Sequence, residues 1–233
     1  GNIAANDGGG GDWLKANGVI NNCNIPSNSA LRGGGLWYSE SLVTEISGCT
    51  IFNNMASPSI DANDANDPNA AIVLTPGQGG GIYSFSTMAP ISDCKIRNNS
   101  AYTSGGGIYV AGSSNPPQII NNLIESNLAG RDGGGISANW QSSPLITSCT
   151  FVSNTAPGLY ANANGKGYGG ALYCSYQSVC TVTNSIFWNN SASNGPEIAV
   201  GTGFEYDPRP STLYISYSDI KPSGSAIWVD TGC

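Results

Sequence analysis

Two basic residues, Lys95 and Arg97, stand two apart on one short segment, with Asp93 just before them and Glu125 about one repeat later. A cation beside carboxylates is the minimum for proton abstraction from a uronic acid, and this is the only such pair on one strand. The chain has no histidine, which removes Ser-His-Asp and Cys-His catalysis, histidine general bases and His-ligated zinc. Solvated surface charge is the better account of these residues, and enzymatic activity is not expected. A second concentration of chemistry is Asp61, Asp64 and Asp67, interleaved with Asn63, Asn66 and Asn69. It offers the oxygen ligands calcium prefers, but Ala65, Asn66 and Ile72 stand where an EF-hand needs an oxygen ligand, glycine and glutamate. The segment is either a calcium site of another geometry or a solvated acidic loop. No other cofactor is called for.

The remaining candidates recur. Trp37, Tyr83, Tyr109 and Tyr173 each follow a glycine cluster, with Ser137 breaking the series. Stacked and exposed, they would form a face for pyranose rings; packed on one another, they would only shield a glycine corner. Cys23, Cys49, Cys94 and Cys149 occupy one slot of another repeated pattern and are expected as buried thiols, with disulfides between neighbours as the alternative. Cys174 and Cys180 lie outside that slot and are candidates for a disulfide closing a small surface loop, while Cys233 has no evident partner. Asn98-Asn99-Ser100 and Asn189-Asn190-Ser191 read as glycosylation sequons, a weak signal in so Asn-rich a chain.

Two periodic signatures must position all of these. One is a glycine cluster followed by aliphatic and aromatic residues, as in Gly79-Gly80-Gly81-Ile82-Tyr83. The other is aliphatic-x-x-Cys-x-apolar-x-x-Asn, as in Ile91, Cys94, Ile96 and Asn99, with Asn122 and Ser185 in the Cys slot of weaker copies. The closing asparagines are Asn2, Asn28, Asn54, Asn99, Asn127, Asn154 and Asn190, spaced by 26, 26, 45, 28, 27 and 36 residues. A basic period near 26 with insertions is the mark of a solenoid. Short apolar runs with period-two alternation make its coils strands, so the expected fold is all-β: a right-handed parallel β-helix of about seven coils. The asparagines should stack from coil to coil at about 4.8 Å as a side-chain ladder. Asn22, Gly48, Asp93, Asn121, Ser148 and Asn184, just before the Cys slot, tolerate a left-handed bend and predict a sharp corner there. The glycine triplets predict another, where Cβ atoms would collide.

The chain is expected to be a single domain, with inserted loops near 57–77, 157–167 and 200–211. Asn2-Ile3-Ala4 starts in mid-coil and the pair of strands at 215–220 is left uncapped, which predicts a piece of a longer protein or end-to-end self-association.

Composition narrows the partners. Only 10% of residues are charged, Gly numbers 32, and the net charge is -7, which disfavours nucleic acid because phosphate binding needs clustered cations. No apolar run approaches the roughly 18 residues of a membrane span. The pairing of Gly169-Gly170-Ala171-Leu172 with Phe151 to Asn154 and Phe187 to Asn190 resembles the repeats of chlamydial polymorphic outer membrane proteins. More broadly, residues 2–220 resemble secreted bacterial right-handed parallel β-helix repeat proteins. That resemblance implies a secreted or cell-surface structural or adhesive module. Its partners would be polysaccharide or a surface protein of a host or neighbouring cell, with a polysaccharide-binding module or a pectate-lyase-like enzyme as the alternatives.

Overall fold

The computed structural model describes residues 1–233 apart from 16–17, 41–43, 59–76, 113–116, 160–164, 205–206 and 223–224. The chain winds as a parallel β-helix whose coils each contribute a strand to four sheets. One coil runs Gln118–Ile120, Leu123–Glu125, Leu128–Ala129 and Ile136–Asn139. Among the described residues the four sheets hold 7, 7, 6 and 8 strands in that order, and each strand pairs in parallel with its counterparts in the adjacent coils. Among the described residues one antiparallel pair joins Gly203–Phe204 to Asp207–Pro208, within the stretch expected to be inserted. Among the described residues no helix is long and apolar enough to cross a membrane.

Strand alternation builds the lumen. In the sheet following the Cys corner, Ile25, Ile51, Ile96, Ile124, Phe151, Phe187 and Ile220 align by register and point inward. Phe151 and Phe187 stack at 4.6 Å and 5°. Burial of these side chains supplies the main stabilising term, at about 1.5–3 kcal/mol each.

The corners are left-handed residues. Asn22, Gly48, Asp93, Asn121, Ser148 and Asn184 have φ of +54°, +61°, +55°, +53°, +55° and +51°, in agreement with the bend expected from their types. A second left-handed corner lies one residue before each ladder asparagine from Asn28 on, at Ser27, Asn53, Asn98, Ser126, Ser153 and Asn189. A third falls on the first glycine of each cluster: a Cβ on Gly105, at φ +68°, would sit 2.5 Å from the Ile108 carbonyl oxygen.

The asparagine ladder is continuous. The backbone N–H and Nδ2 of Asn54 both donate to Asn99 Oδ1 at 3.0 Å, and Asn99 does the same to Asn127. Each Nδ2 also donates to a carbonyl of the preceding coil, Asn99 to Ile51 at 2.9 Å. Asn28, Asn127 and Asn154 continue the series and Asn190 receives its last step. Asn2, at the exposed end, joins through its backbone N–H to Asn28 Oδ1.

The Cys slot is a second ladder rather than merely an apolar column. Cys49 donates its N–H to Cys94 Sγ at 3.4 Å, Cys94 to Asn122 Oδ1 at 2.9 Å, and Cys149 to Ser185 Oγ at 3.2 Å. Asn and Ser replace Cys there because each is small and carries an acceptor for the N–H below.

Candidate functional site

The glycine corner turns the chain so sharply that two outward columns face each other. One, formed by single bridging residues, is Asp7, Arg32, Gln78, Ser104, Asp132, Tyr168 and Asn194. The other, on the outer face of the eight-stranded sheet, includes Trp37, Tyr83, Tyr109, Ser137 and Tyr173 in register. Contacts run between them: the Arg32 guanidinium lies 5.7 Å from the Tyr83 ring centre, and Tyr168 stacks on Tyr173 at 5.6 Å. Tyr83 and Tyr109 stack on each other at 5.1 Å.

Of the two arrangements open to these rings, the structure has the packed one. Trp37, Tyr83, Tyr109 and Tyr173 are only 8, 7, 1 and 7% exposed, because the bridging column folds over them. Packing explains these rings. Desolvation pushes the Tyr83, Tyr109 and Tyr173 phenols above their ordinary range, so they stay neutral and act as neither bases nor anions.

Electrostatics in the corner are paired. Arg32 binds Asp7 through two bonds of 2.7 and 2.8 Å. Arg131 Nε donates to Asp132 Oδ2 at 2.5 Å, with the phenols of Tyr173 and Tyr109 next among its electrostatic neighbours. Arg131 belongs to the same coil as Ser137, where the aromatic row is interrupted. Burial raises the Asp132 pKa, opposed by the Arg131 charge and by the Ser104 hydroxyl beside it.

The other candidates disperse. Cys49, Cys94 and Cys149 are buried, but Cys23 is exposed. Burial pushes the Cys94 thiol up to about 12, leaving almost no nucleophilic thiolate at neutral pH. Cys174 and Cys180 are free thiols, both fully buried among lumen residues rather than on a surface loop. Strand alternation points both inward, in adjacent sheets of one coil. Cys233 is exposed and its Sγ accepts from the Ser211 N–H at 3.4 Å.

Lys95 is exposed, while Arg97 lies over the Phe52 ring at 5.3 Å. Glu125 stands beside Arg97 in register, yet neither it nor Asp93 forms an ion pair with Lys95 or Arg97; Asp93 accepts from Asn121 Nδ2 at 2.6 Å. Asp61, Asp64 and Asp67 lie outside the described residues. Among the described residues no group of three or more His, Cys, Asp or Glu could hold a metal ion.

An exposed cluster that the sequence reading missed sits at the turn leaving the eight-stranded sheet. Trp140 packs on Tyr176 at 4.3 Å between ring centres, and the Arg209 guanidinium lies 5.2 Å from the Tyr176 ring centre. Gln141 Nε2 donates to Gln177 Oε1 at 2.8 Å, and the buried Ser142 and Ser178 hydroxyls meet at 3.3 Å. The signal was available: Trp140-Gln141-Ser142 and Tyr176-Gln177-Ser178 are one aromatic-Gln-Ser triplet in successive coils.

Comparison with known proteins agrees with this architecture. The right handed beta helix region family matches residues 73–233. A metabotropic glutamate receptor-like protein R of Dictyostelium discoideum is 35% identical over 111 residues, 48% of this chain and 6% of that protein. A probable outer membrane protein, PmpB, of Chlamydia trachomatis is 31% identical over 119 residues, 45% of this chain and 7% of that protein. The chain thus spans only a small fraction of the length of these relatives. No solved structure matches it significantly. With parallel strands stacked in four sheets and a family match covering more than half its residues, the chain belongs to the right-handed β-helix family.

Proposed function

We propose that this chain is a non-enzymatic β-helix module of a cell-surface or secreted protein, serving as a stiff structural or adhesive segment. The observation that carries this reading is the axial hydrogen bonding: among the described residues successive coils are tied by parallel sheets, and those from Asn28 to Asn190 by the asparagine ladder as well. Seven coils at about 4.8 Å make a rod of about 34 Å that keeps its outer faces in fixed register. Partial similarity to a chlamydial outer membrane protein supports a surface location.

The test is to coat beads with the purified chain and measure attachment to cells. In parallel, a panel of neutral and acidic polysaccharides is incubated with it, with and without calcium, and chain length is followed by size-exclusion chromatography. Attachment, or polysaccharide retention without shortening, is expected. Shortened chains would replace this reading with that of a lyase or hydrolase.

A further inference from the structure

The chain holds two Asn-x-Ser/Thr triplets, Asn98-Asn99-Ser100 and Asn189-Asn190-Ser191. The acceptor of such a sequon is its first residue. In both triplets that residue is the left-handed corner, with φ of +52° at Asn98 and +58° at Asn189, and the middle residue is the ladder asparagine. The corner sends the two adjacent amides in opposite directions. Asn99 and Asn190 are 1 and 6% exposed, and each donates its Nδ2 twice, Asn99 to Ile51 and Asn127, Asn190 to Phe151 and Glu197. Asn98 and Asn189 are exposed. The ladder therefore takes the amide that no enzyme could use and leaves the acceptor amide outside.

The surroundings of both acceptors suit a bulky substituent. The Asn98 backbone N–H donates to the Glu125 carbonyl at 3.1 Å, which fixes the corner without using the side chain. Lys221 Nζ donates to Asn189 Oδ1, engaging the amide oxygen and not the nitrogen. Of the serines two residues on, Ser100 is half-buried and Ser191 exposed. Strand register places Asn98, Ser126, Ser153 and Asn189 along one edge of the rod, so the two acceptors stand three coils or about 14 Å apart with only small side chains at the corners between them.

We propose that Asn98 and Asn189 are N-glycosylation sites, each receiving an oligosaccharide on Nδ2 from a lipid-diphosphate carrier. Nδ2 bonds to the anomeric carbon of the first sugar, the bond from that carbon to the diphosphate oxygen breaks, Nδ2 gives up one proton, and the lipid diphosphate leaves. No oxidant or reductant enters. The inference rests on the secreted or cell-surface reading, because a chain meets such donors on its way to the surface. Asn53 supplies a built-in comparison: it is an exposed corner at φ +56° followed by ladder Asn54, but Met55 stands where the sequon needs a hydroxyl.

The test is to secrete the full chain from a eukaryotic cell behind a cleavable leader and map its sites by peptide mass spectrometry after a glycan-releasing amidase, which leaves aspartate at each occupied asparagine. Occupancy is expected at Asn98 and Asn189. Ser100→Ala and Ser191→Ala, which keep both corner asparagines, should each remove one glycan, and Met55→Ser, at a position 47% exposed, should add one at Asn53. Because the sugars project outward, the glycosylated chain should melt within about 2 °C of the Ser100→Ala/Ser191→Ala variant, the scale of a surface change in a chain of this size. A secreted chain bare at either asparagine would overturn that site. A bare Asn53 in Met55→Ser would overturn the role given to the corner, and a larger change in melting temperature would overturn the outward placement. Since the leader imposes secretion, a bare chain would leave the surface reading standing; that reading fails separately, if coated beads attach to no cells and the chain retains no polysaccharide.

Discussion

Asn190 Nδ2 donates to Glu197 Oε2 at 2.5 Å, so the asparagine ladder ends on a buried carboxylate. Glu197 stands where earlier coils have the third glycine of the triplet. A Cβ on Gly35 or Gly81 would sit 3.0 or 3.1 Å from the Nδ2 of the next coil's Asn54 or Asn99. At the final copy a side chain occupies that space and accepts from the asparagine of its own coil. Glutamate there is a terminator of the ladder.

Burial raises the Glu197 pKa above its ordinary 4.5, with the Asn190 amide and the Lys221 charge opposing. The sign follows: the folded state binds this proton more tightly than the unfolded one. Stability is therefore greatest below the unfolded pKa and declines as pH rises through the folded value. Glu197→Gln keeps an acceptor for Asn190 and removes the ionisation. Thermal melts across pH should show the variant gaining on the parent as pH rises to neutrality, with the advantage vanishing in acid. A difference independent of pH would contradict the account.

Arg131 and Asp132 form a largely buried pair, with side chains 29 and 5% exposed. Arg131→Ala would leave the carboxylate desolvated and unpaired, costing about 3 kcal/mol at neutral pH. Because the surviving carboxyl can escape by taking a proton, the loss should shrink in acid. Urea titrations at the two pH values would show this, and equal losses at both would not fit.

Within the ladder, Asn99→Ala deletes the acceptor of both Asn54 donors and two bonds made by its own Nδ2. Orphaned buried donors cost about 1–3 kcal/mol each, so a total loss near 3 kcal/mol is expected. Asn2→Ala, at the exposed end where only the backbone N–H takes part, should change stability by less than about 0.5 kcal/mol. Chemical denaturation of both variants provides the comparison.

Alkylation separates the thiols by location. Cys23 and Cys233 should react in the native protein; Cys49, Cys94, Cys149, Cys174 and Cys180 should react only after unfolding. Peptide mass spectrometry reads each site. Resistance of Cys174 and Cys180 even after unfolding would mean that they are bridged.

Much of the fold was legible because solenoids repeat their reasons. Asn22, Gly48 and Asp93 share no side chain, yet their common tolerance of positive φ marked the corner before the Cys slot. The second corner was written just as plainly in Ser27, Asn53, Asn98 and Ser126, but the prominence of the ladder asparagine beside it drew attention away. Both packing and exposure of Trp37, Tyr83 and Tyr109 were legible, but not which of the two holds. Alternation fixes which face of a strand a residue occupies, but the geometry of the glycine corner decides that Arg32 and Tyr168 fold over that face. Likewise Asn122 and Ser185 in the Cys slot, read as degeneracy, were evidence that the slot needs a hydrogen-bond acceptor.

The central claim is that two side-chain ladders tie the coils into one stiff unit. Native-state hydrogen exchange on the amide N–H groups of Asn54, Asn99, Asn127 and Asn154, each donated to the next asparagine's side chain, tests it most directly. The account predicts that these amides exchange only with global unfolding, at one common free energy set by denaturation. Rapid exchange of any of them under native conditions, while neighbouring strand amides stay protected, would contradict it.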